Sequence, residues 1–163
     1  MTMKVNNLNK ARGEIYNEIK KYVSLNGWSD EILKEVSKKS NFSYAEILVL
    51  FPNGYIELLN MYLNEINNKM TIESKKLNLI HLKVHQRIRE LIILRLNIMS
   101  LEKKLISKTY FHLFLPNNFK FSSKALYKSV DQIWFVAKDN STDFNFYSKR
   151  AILAWIYNLV ILH

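Results

Sequence analysis

Apolar residues recur every three or four positions along almost the whole chain, a spacing that predicts amphipathic helices rather than strands. Residues 74–99 form the longest periodic stretch, and its apolar positions cover more than one stripe, which predicts a mostly enclosed central helix. The predicted helices cover approximately residues 8–25, 30–39, 43–51, 55–70, 74–99 and 101–115, then a seventh capped by Ser122 or Ser123 and ending near 137, and a last one beginning near 143.

Local signals mark the ends of the N-terminal helices. Asn26-Gly27 predicts a chain reversal after the first helix, since glycine adopts a left-handed backbone without strain. Ser43 and Glu46 have the spacing of a capping box, which predicts the start of the third helix. That helix is expected to end at Pro52, which cannot continue the hydrogen-bond pattern.

The first three predicted helices, with a tight break between the second and the third, form the pattern of a helix-turn-helix. In a DNA-binding protein the third helix would contact the bases. Residues 43–51 contain no Lys, Arg, Asn or Gln, the side chains that most often contact bases and phosphates. We therefore interpret this region as a helix-turn-helix scaffold that does not bind DNA, and keep a transcriptional regulator with a hydrophobic ligand pocket as the alternative.

The composition agrees with one all-α domain. The chain has 163 residues, of which 48% are hydrophobic, enough to bury a core. Three glycines and two prolines are too few for the many turns of a sandwich or a barrel. The sequence contains no cysteine, which excludes disulfides, thiolate-bound metals and thiol nucleophiles.

The net charge of +10 is typical of a protein with nucleic acid or an anionic membrane surface as partner. Residues 1–70 carry nine basic and eight acidic side chains, whereas residues 71–110 carry nine and three. The nearly neutral N-terminal part does not favour DNA, because phosphate neutralisation supplies most nonspecific affinity. The frequent Lys, Asn and Ile equally fit the coding bias of an AT-rich genome, so the charge alone does not establish a partner.

The sequence offers few candidates for catalysis. Its glycines are isolated, and none belongs to a phosphate-binding loop. His81 and His85 are four residues apart and would share one face of the predicted fifth helix, as metal ligands do, so a metal-dependent enzyme is a second alternative. Two exposed histidines on a basic helix are the simpler interpretation. We predict a protein that is not an enzyme and holds no metal or other cofactor beyond a bound lipid or quinone.

The end of the chain is its most apolar part. Residues 151–162 form an apolar run shorter than the roughly 20 residues needed to span a bilayer. The first 25 residues have neither the apolar region of a signal peptide nor the pattern of a transit peptide. The last predicted helix is apolar nearly all round, so we expect it to bury against protein, a second subunit or lipid.

Two parts of the sequence resemble known families. Gly-Trp-Ser-Asp at 27–30 and Phe-Pro-Asn-Gly at 51–54 resemble the N-terminal half of TetR-type regulators. Residues 134–151 are more distinctive, with Ser-Thr-Asp-Phe-Asn followed by an aromatic pair. They resemble the signature of the ubiquinone-biosynthesis accessory lipid-binding family, the ninth coenzyme Q protein and its bacterial relatives. The basic segment 83–89 is similar as well, and the resemblance covers about residues 8–157.

This resemblance implies an all-α, TetR-like fold and a non-enzymatic function. Such a protein would be a homodimer, peripheral to an anionic membrane, that binds an isoprenoid quinone lipid and presents it to the demethoxyubiquinone hydroxylase. It would lie on the cytoplasmic side of a bacterial inner membrane or on the matrix side in mitochondria. We expect residues 1–70 as a helix-turn-helix-like region and 71–163 as the lipid-binding region of the same compact domain. The family continues into further C-terminal helices, one of them amphipathic, and we expect this chain to lack them.

The resemblance also implies two sets of site residues. The lipid is expected in an apolar tunnel between the fifth, seventh and last helices, although for any single one of these positions ordinary core packing is the better explanation. The candidates for the lipid site are Ile92, Leu96, Met99, Val130, Ile133, Trp134, Ala154 and Tyr157. The candidates for contact with the hydroxylase are Asp143, Phe144, Asn145, Phe146, Tyr147 and Arg150. The family usually has tryptophan at the position of Phe146.

Overall fold

A computed structural model describes residues 2–139 and 143–162, with the side chains of 8–139 and 145–161. The described residues form eight α-helices and one short 3-10 helix, so the all-α prediction is confirmed. None of these helices is long and apolar enough to cross a bilayer. The helices are α1 Thr2–Asn26, α2 Glu31–Lys39, α3 Tyr44–Leu50, α4 Gly54–Ser74, α5 Val84–Ser100, α6 Lys103–Leu113, α7 Phe119–Val136 and α8 Asp143–Leu162, with the 3-10 helix at Pro116–Asn118.

The chain divides into two compact units. The N-terminal unit comprises Met1–Tyr62 and Glu102–Leu115, and the C-terminal unit comprises Leu63–Leu101 and Pro116–His163. The N-terminal unit therefore contains the first three helices, the beginning of α4 and α6. The helix-turn-helix and the boundary near residue 70 stay predictions.

The local signals at the ends of the N-terminal helices are present in the structure. Gly27 has a φ of 85°, the left-handed conformation that ends α1. At the start of α3, the Glu46 carboxylate accepts hydrogen bonds of 2.8 Å from the Ser43 backbone N–H and hydroxyl, and the Glu46 N–H donates to Ser43 Oγ at 3.3 Å. The predicted capping box is thus confirmed.

The core of the C-terminal unit is a single apolar cluster. It joins α4, α5, α7 and α8, and its members are Met70, Ile88, Leu91, Val130, Ile133, Trp134, Ala137, Leu153 and Tyr157. One face of α5 is buried, and its residues are Ile88, Leu91, Arg95 and Met99. Arg89, Ile93 and Asn97 are exposed on another side of the helix, so α5 is amphipathic and the prediction of a mostly enclosed helix is wrong.

The predicted start of the fifth helix at residue 74 is wrong. α4 continues to Ser74, and residues 75–83 form turns before α5 begins at Val84. The Lys83 N–H donates to Gln86 Oε1 at 2.9 Å, which caps the start of α5 locally. The start of the seventh helix also differs, because α7 begins at Phe119 and passes through the serines that were expected to cap it.

Candidate functional site

The C-terminal unit contains a half-open cavity of about 980 Å³. It lies where the end of α4, the 75–83 segment, the end of α7 and the start of α8 meet. The apolar part of its wall consists of Leu77, Leu79, Ile80, Phe135, Val136 and Phe146. A concave, mostly apolar space of about 300–1,000 Å³ is typical of a small-molecule site.

Arg87 holds the 75–83 segment in place as one wall of this cavity. Its guanidinium donates to the carbonyl oxygens of Leu82 at 2.9 Å, of Ile80 at 3.2 Å and of Ala137 at 3.2 Å. The first two carbonyls belong to the segment, and the third lies at the end of α7. One side chain therefore ties the segment to α7, and a segment without helical hydrogen bonds of its own acquires a defined position.

Two ion pairs lie beside the cavity at the start of α8. Arg150 is buried, its Nε lies 2.8 Å from Asp131 Oδ1, and its guanidinium carbon lies 3.3 Å from the centre of the Phe146 ring. Lys149 Nζ lies 3.0 Å from Asp139 Oδ1. These contacts fix Phe146 and Arg150 in the cavity wall.

Lysine and arginine outnumber acids in the wall. Among the described residues of the wall, four are basic, Lys75, Arg87, Lys138 and Arg150, and two are acidic, Asp131 and Asp139. The cavity thus combines an apolar wall with a net positive charge, which suits an amphiphile with a polar or anionic end.

A buried arginine lies in the interior of the same unit. Arg95 is fully buried, and its guanidinium donates to Tyr157 Oη at 2.5 Å, Asn67 Oδ1 at 2.6 Å and Ser129 Oγ at 3.1 Å. It thereby joins α5 to α8, α4 and α7. The sequence contained one signal for this network, since Arg95 lies four residues after Leu91 and four before Met99, on the buried stripe of its helix.

Comparison with known proteins gives the same family as the sequence signature. The model of the COQ9 family matches residues 119–163, which include α7 and α8. The human protein named "Ubiquinone biosynthesis protein COQ9, mitochondrial" is 30% identical over 144 residues, which is 84% of this chain and 45% of the human chain.

Residues 119–163 thus match the COQ9 family, and the chain is similar to COQ9 proteins over 84% of its length. The bovine COQ9 protein is 29% identical over 144 residues, 84% of this chain and 45% of its own. A Dictyostelium discoideum protein named "Probable ubiquinone biosynthesis protein coq9, mitochondrial" is 25% identical over 143 residues, 84% of this chain and 47% of its own. This chain thus spans about half the length of the curated COQ9 relatives it matches.

Most of the residues proposed for the lipid tunnel belong to the packed core of the C-terminal unit. Ile92, Val130, Ile133, Trp134, Ala154 and Tyr157 lie in the apolar cluster or pack against it. Leu96 is half-buried, and the Met99 sulfur lies 3.7 Å from Tyr157 Oη. None of the eight lines the cavity, which sequence reasoning missed because the 75–83 segment was expected to be helical.

The residues proposed for contact with the hydroxylase lie together at the start of α8. Asn145 is exposed, Phe146 is half-buried, and the Tyr147 side chain is 67% exposed, with its ring centre 5.2 Å from that of Phe146. Arg150 is buried under Phe146. The side chains of Asp143 and Phe144 lie outside the described residues, as do the preceding positions 140–142.

The histidine pair does not form the expected arrangement. His81 lies in the 75–83 segment and His85 in the first turn of α5, so the two do not share a helix face. The prediction of that shared face is wrong because α5 starts ten residues later than expected. Within the described part of the chain, no three His, Asp or Glu side chains come close enough together to hold a metal ion.

Proposed function

We propose that this chain is an accessory protein of ubiquinone biosynthesis that binds an isoprenoid quinone or its precursor and presents it to the demethoxyubiquinone hydroxylase. The observation that carries the proposal is the similarity to COQ9 proteins over 84% of the chain. In this role the protein supplies binding and orientation, and the hydroxylase supplies the chemistry. The relatives named "mitochondrial" favour a mitochondrial location, and we propose that the chain acts there as a peripheral homodimer on the matrix side of the inner membrane.

The cavity supports the lipid-binding part of the proposal. Its volume of about 980 Å³ has room for a quinone ring and a few isoprene units, and its wall offers both apolar and cationic side chains. We propose the cavity as the place where the lipid first binds. The eight tunnel residues would contact the lipid only after α5, α7 and α8 separate, because they fill the core in the present structure.

The start of α8 supports the proposed contact with the hydroxylase. Tyr147 is exposed beside the half-buried Phe146, and exposed aromatic side chains backed by a rigid support often carry the binding energy of an interface. Phe146 and Arg150 also line the cavity. A partner bound at this surface would therefore contact the opening through which the lipid leaves.

The surface of α3 lacks the basic side chains that bind DNA, which supports the proposal that the protein does not bind DNA. Its exposed positions carry Ala45, Glu46, Leu48 and Val49, none of which is basic. Glu46 is used locally as the capping residue of α3, and its carboxylate would repel phosphate. A mobility-shift assay at low salt tests the alternative of a transcriptional regulator, which predicts binding that weakens steeply with added salt.

The experiment that tests lipid binding compares two exposed isoleucines. Ile80 lines the cavity and Ile72 does not, and both are more than half exposed, so tryptophan is tolerated at either position. Ile80→Trp fills part of the cavity, whereas Ile72→Trp is the matched control. Binding of a short-chain ubiquinone, followed by quenching of protein fluorescence, should weaken about tenfold in Ile80→Trp only.

A second experiment complements the titration. Mass spectrometry of organic extracts of the purified protein should identify isoprenoid quinones or their precursors. If the unmodified protein binds no quinone and carries none, lipid binding is refuted. If it binds quinone and both variants bind equally well, the proposed position in the cavity is wrong and the tunnel between α5, α7 and α8 is favoured.

A further inference from the structure

The inner face of α6 is fixed within the N-terminal unit. Leu105, Thr109 and His112 are buried, at the spacing of one helix face. The indole N–H of Trp28 donates to Thr109 Oγ1 at 3.0 Å, and the Tyr55 ring meets His112 edge-on, with ring centres 5.3 Å apart. The orientation of α6 about its own axis is therefore defined, and so is the set of side chains that it turns to solvent.

The outer face of α6 exposes large apolar side chains. Phe111 is 70% exposed. Phe114 and Leu115, directly after the helix, are also exposed. Single exposed apolar residues are ordinary on protein surfaces, but three within residues 111–115 form a cluster, and clusters of exposed apolar residues often mark an interaction site.

Lysines lie between these apolar side chains. Lys104 and Lys108 are exposed and share one helix face with Phe111, at the spacing i, i+4 and i+7, and Lys103 is exposed beside them. α6 contains no Asp or Glu. The sequence from 103 to 130 contains six lysines and no acidic residue.

The lysines of α6 differ from other exposed lysines of the same unit in their electrostatic surroundings. Lys21 and Lys38 each pair with a glutamate three residues away, at 2.6 Å and 2.7 Å. Among the side chains that the structure describes, Lys103, Lys104 and Lys108 take part in no ion pair. The nearest acid in sequence, Glu102, accepts a hydrogen bond from the Tyr62 hydroxyl at 3.0 Å. α6 therefore presents positive charge that the protein itself does not neutralise.

We propose that the outer face of α6 is a docking surface for an anionic lipid bilayer. Lysine stems can lie along the apolar boundary while their ammonium groups contact lipid phosphates, and Phe and Leu side chains insert beside them. Charge complementarity selects the anionic partner, and the exposed Leu and Phe side chains favour a bilayer over a nucleic acid, to whose phosphates they add nothing. The inference rests on the membrane association included in the proposed function, and it names the residues that make the contact.

The test is flotation of the full chain with lipid vesicles. Vesicles of phosphatidylcholine are compared with vesicles that also contain phosphatidylglycerol. The unmodified protein should bind the anionic vesicles, and added salt should weaken the binding because it screens the attraction. Replacing two lysines of α6 in the double variant Lys104→Glu/Lys108→Glu should reduce binding about tenfold or more.

A matched control shows whether binding depends on where the lysines lie or only on the net charge of the protein. The double variant Lys21→Glu/Lys38→Glu changes the net charge equally on the same unit, at lysines with ion-pair partners. It should bind anionic vesicles nearly as well as the unmodified protein. Phe111→Ser, at a 70% exposed position where no core packing is lost, should weaken binding several-fold and leave the salt dependence unchanged.

The possible results have different meanings. Equal loss in the two double variants would overturn the assignment to α6 and indicate a general charge effect. If the unmodified protein does not bind anionic vesicles, both the membrane association and the α6 surface are refuted, while quinone binding is judged separately by the titration of Ile80→Trp. If duplex DNA binds with the same sensitivity to Lys104 and Lys108 and vesicles do not, the partner is nucleic acid and the proposal is wrong.

Discussion

Arg95 Nε donates a hydrogen bond of 2.5 Å to the hydroxyl of Tyr157, which joins α5 to α8 across 62 residues of sequence inside the C-terminal unit. Both side chains are almost completely removed from solvent. A buried guanidinium needs acceptors for its donors, because an unsatisfied charged group in the interior costs more than the hydrogen bond contributes. The position of α8 in this unit therefore depends on a polar contact as well as on apolar packing.

Tyr157→Phe should destabilise the protein. The substitution keeps the ring in the core and removes the acceptor of a buried charged donor, so we expect a loss of about 1–3 kcal/mol in the free energy of unfolding. Urea denaturation measures it. Tyr127→Phe, at a half-exposed position on α7, is the control and should change the free energy by less than about 0.5 kcal/mol. Equal stability of the two variants would show that this hydrogen bond adds nothing net.

Arg87→Ala should release the 75–83 segment. The variant loses three hydrogen bonds to carbonyl groups, two of them within the segment and one at the end of α7. Hydrogen exchange at residues 77–83 should become faster, and short-chain ubiquinone should bind more weakly because the cavity wall is less defined. Arg89→Ala is the control, since Arg89 is exposed and pairs with Glu90 beside it in the same helix. Unchanged exchange in Arg87→Ala would contradict the role of Arg87.

Gly54→Ala should destabilise the N-terminal unit. Gly54 has a φ of 60°, and an added Cβ would lie 2.6 Å from Asp30 Oδ1. The left-handed conformation and the close contact act together, so we expect a loss of about 1–2 kcal/mol. Gly13→Ala should have the opposite effect. Gly13 lies within helix α1, and a Cβ added there would meet nothing within 4 Å. Thermal or urea denaturation should show that Gly13→Ala stabilises the protein by about 0.5–1 kcal/mol.

His112 should make the stability depend on pH. Burial lowers the pKa of His112 below its ordinary value of 6.5, so the folded protein takes up this proton less readily than the unfolded chain. The stabilising contribution is complete above pH 6.5 and decreases as the pH falls below that value, until the folded protein also takes up the proton. The free energy of unfolding, measured above and below pH 6.5, should show this decrease in the unmodified protein and a smaller one in His112→Gln. An equal pH dependence in both proteins would assign it to other groups.

The sequence was most informative where the interactions are local. The capping box of Ser43 and Glu46 and the turn at Gly27 depend on residues within four positions of one another, and both are present in the structure. The apolar periodicity predicted each helix for the same reason. It failed at residues 75–83, where the apolar spacing continues but Gln86 and Arg87 stabilise a non-helical segment.

The sequence by itself determined the helical class, most helix ends and the resemblance to COQ9 proteins, because helix propensity, capping and a family signature depend on neighbouring residues. The tertiary structure decided which side chains share a site. The hydrogen bonds of Arg95 join positions 28 to 62 residues apart, and Arg87 reaches Ala137, 50 residues away. Their partners follow from how the helices pack, which no local pattern specifies. The cavity and the basic outer face of α6 exist for the same reason, since packing settles which faces are buried and which stay open.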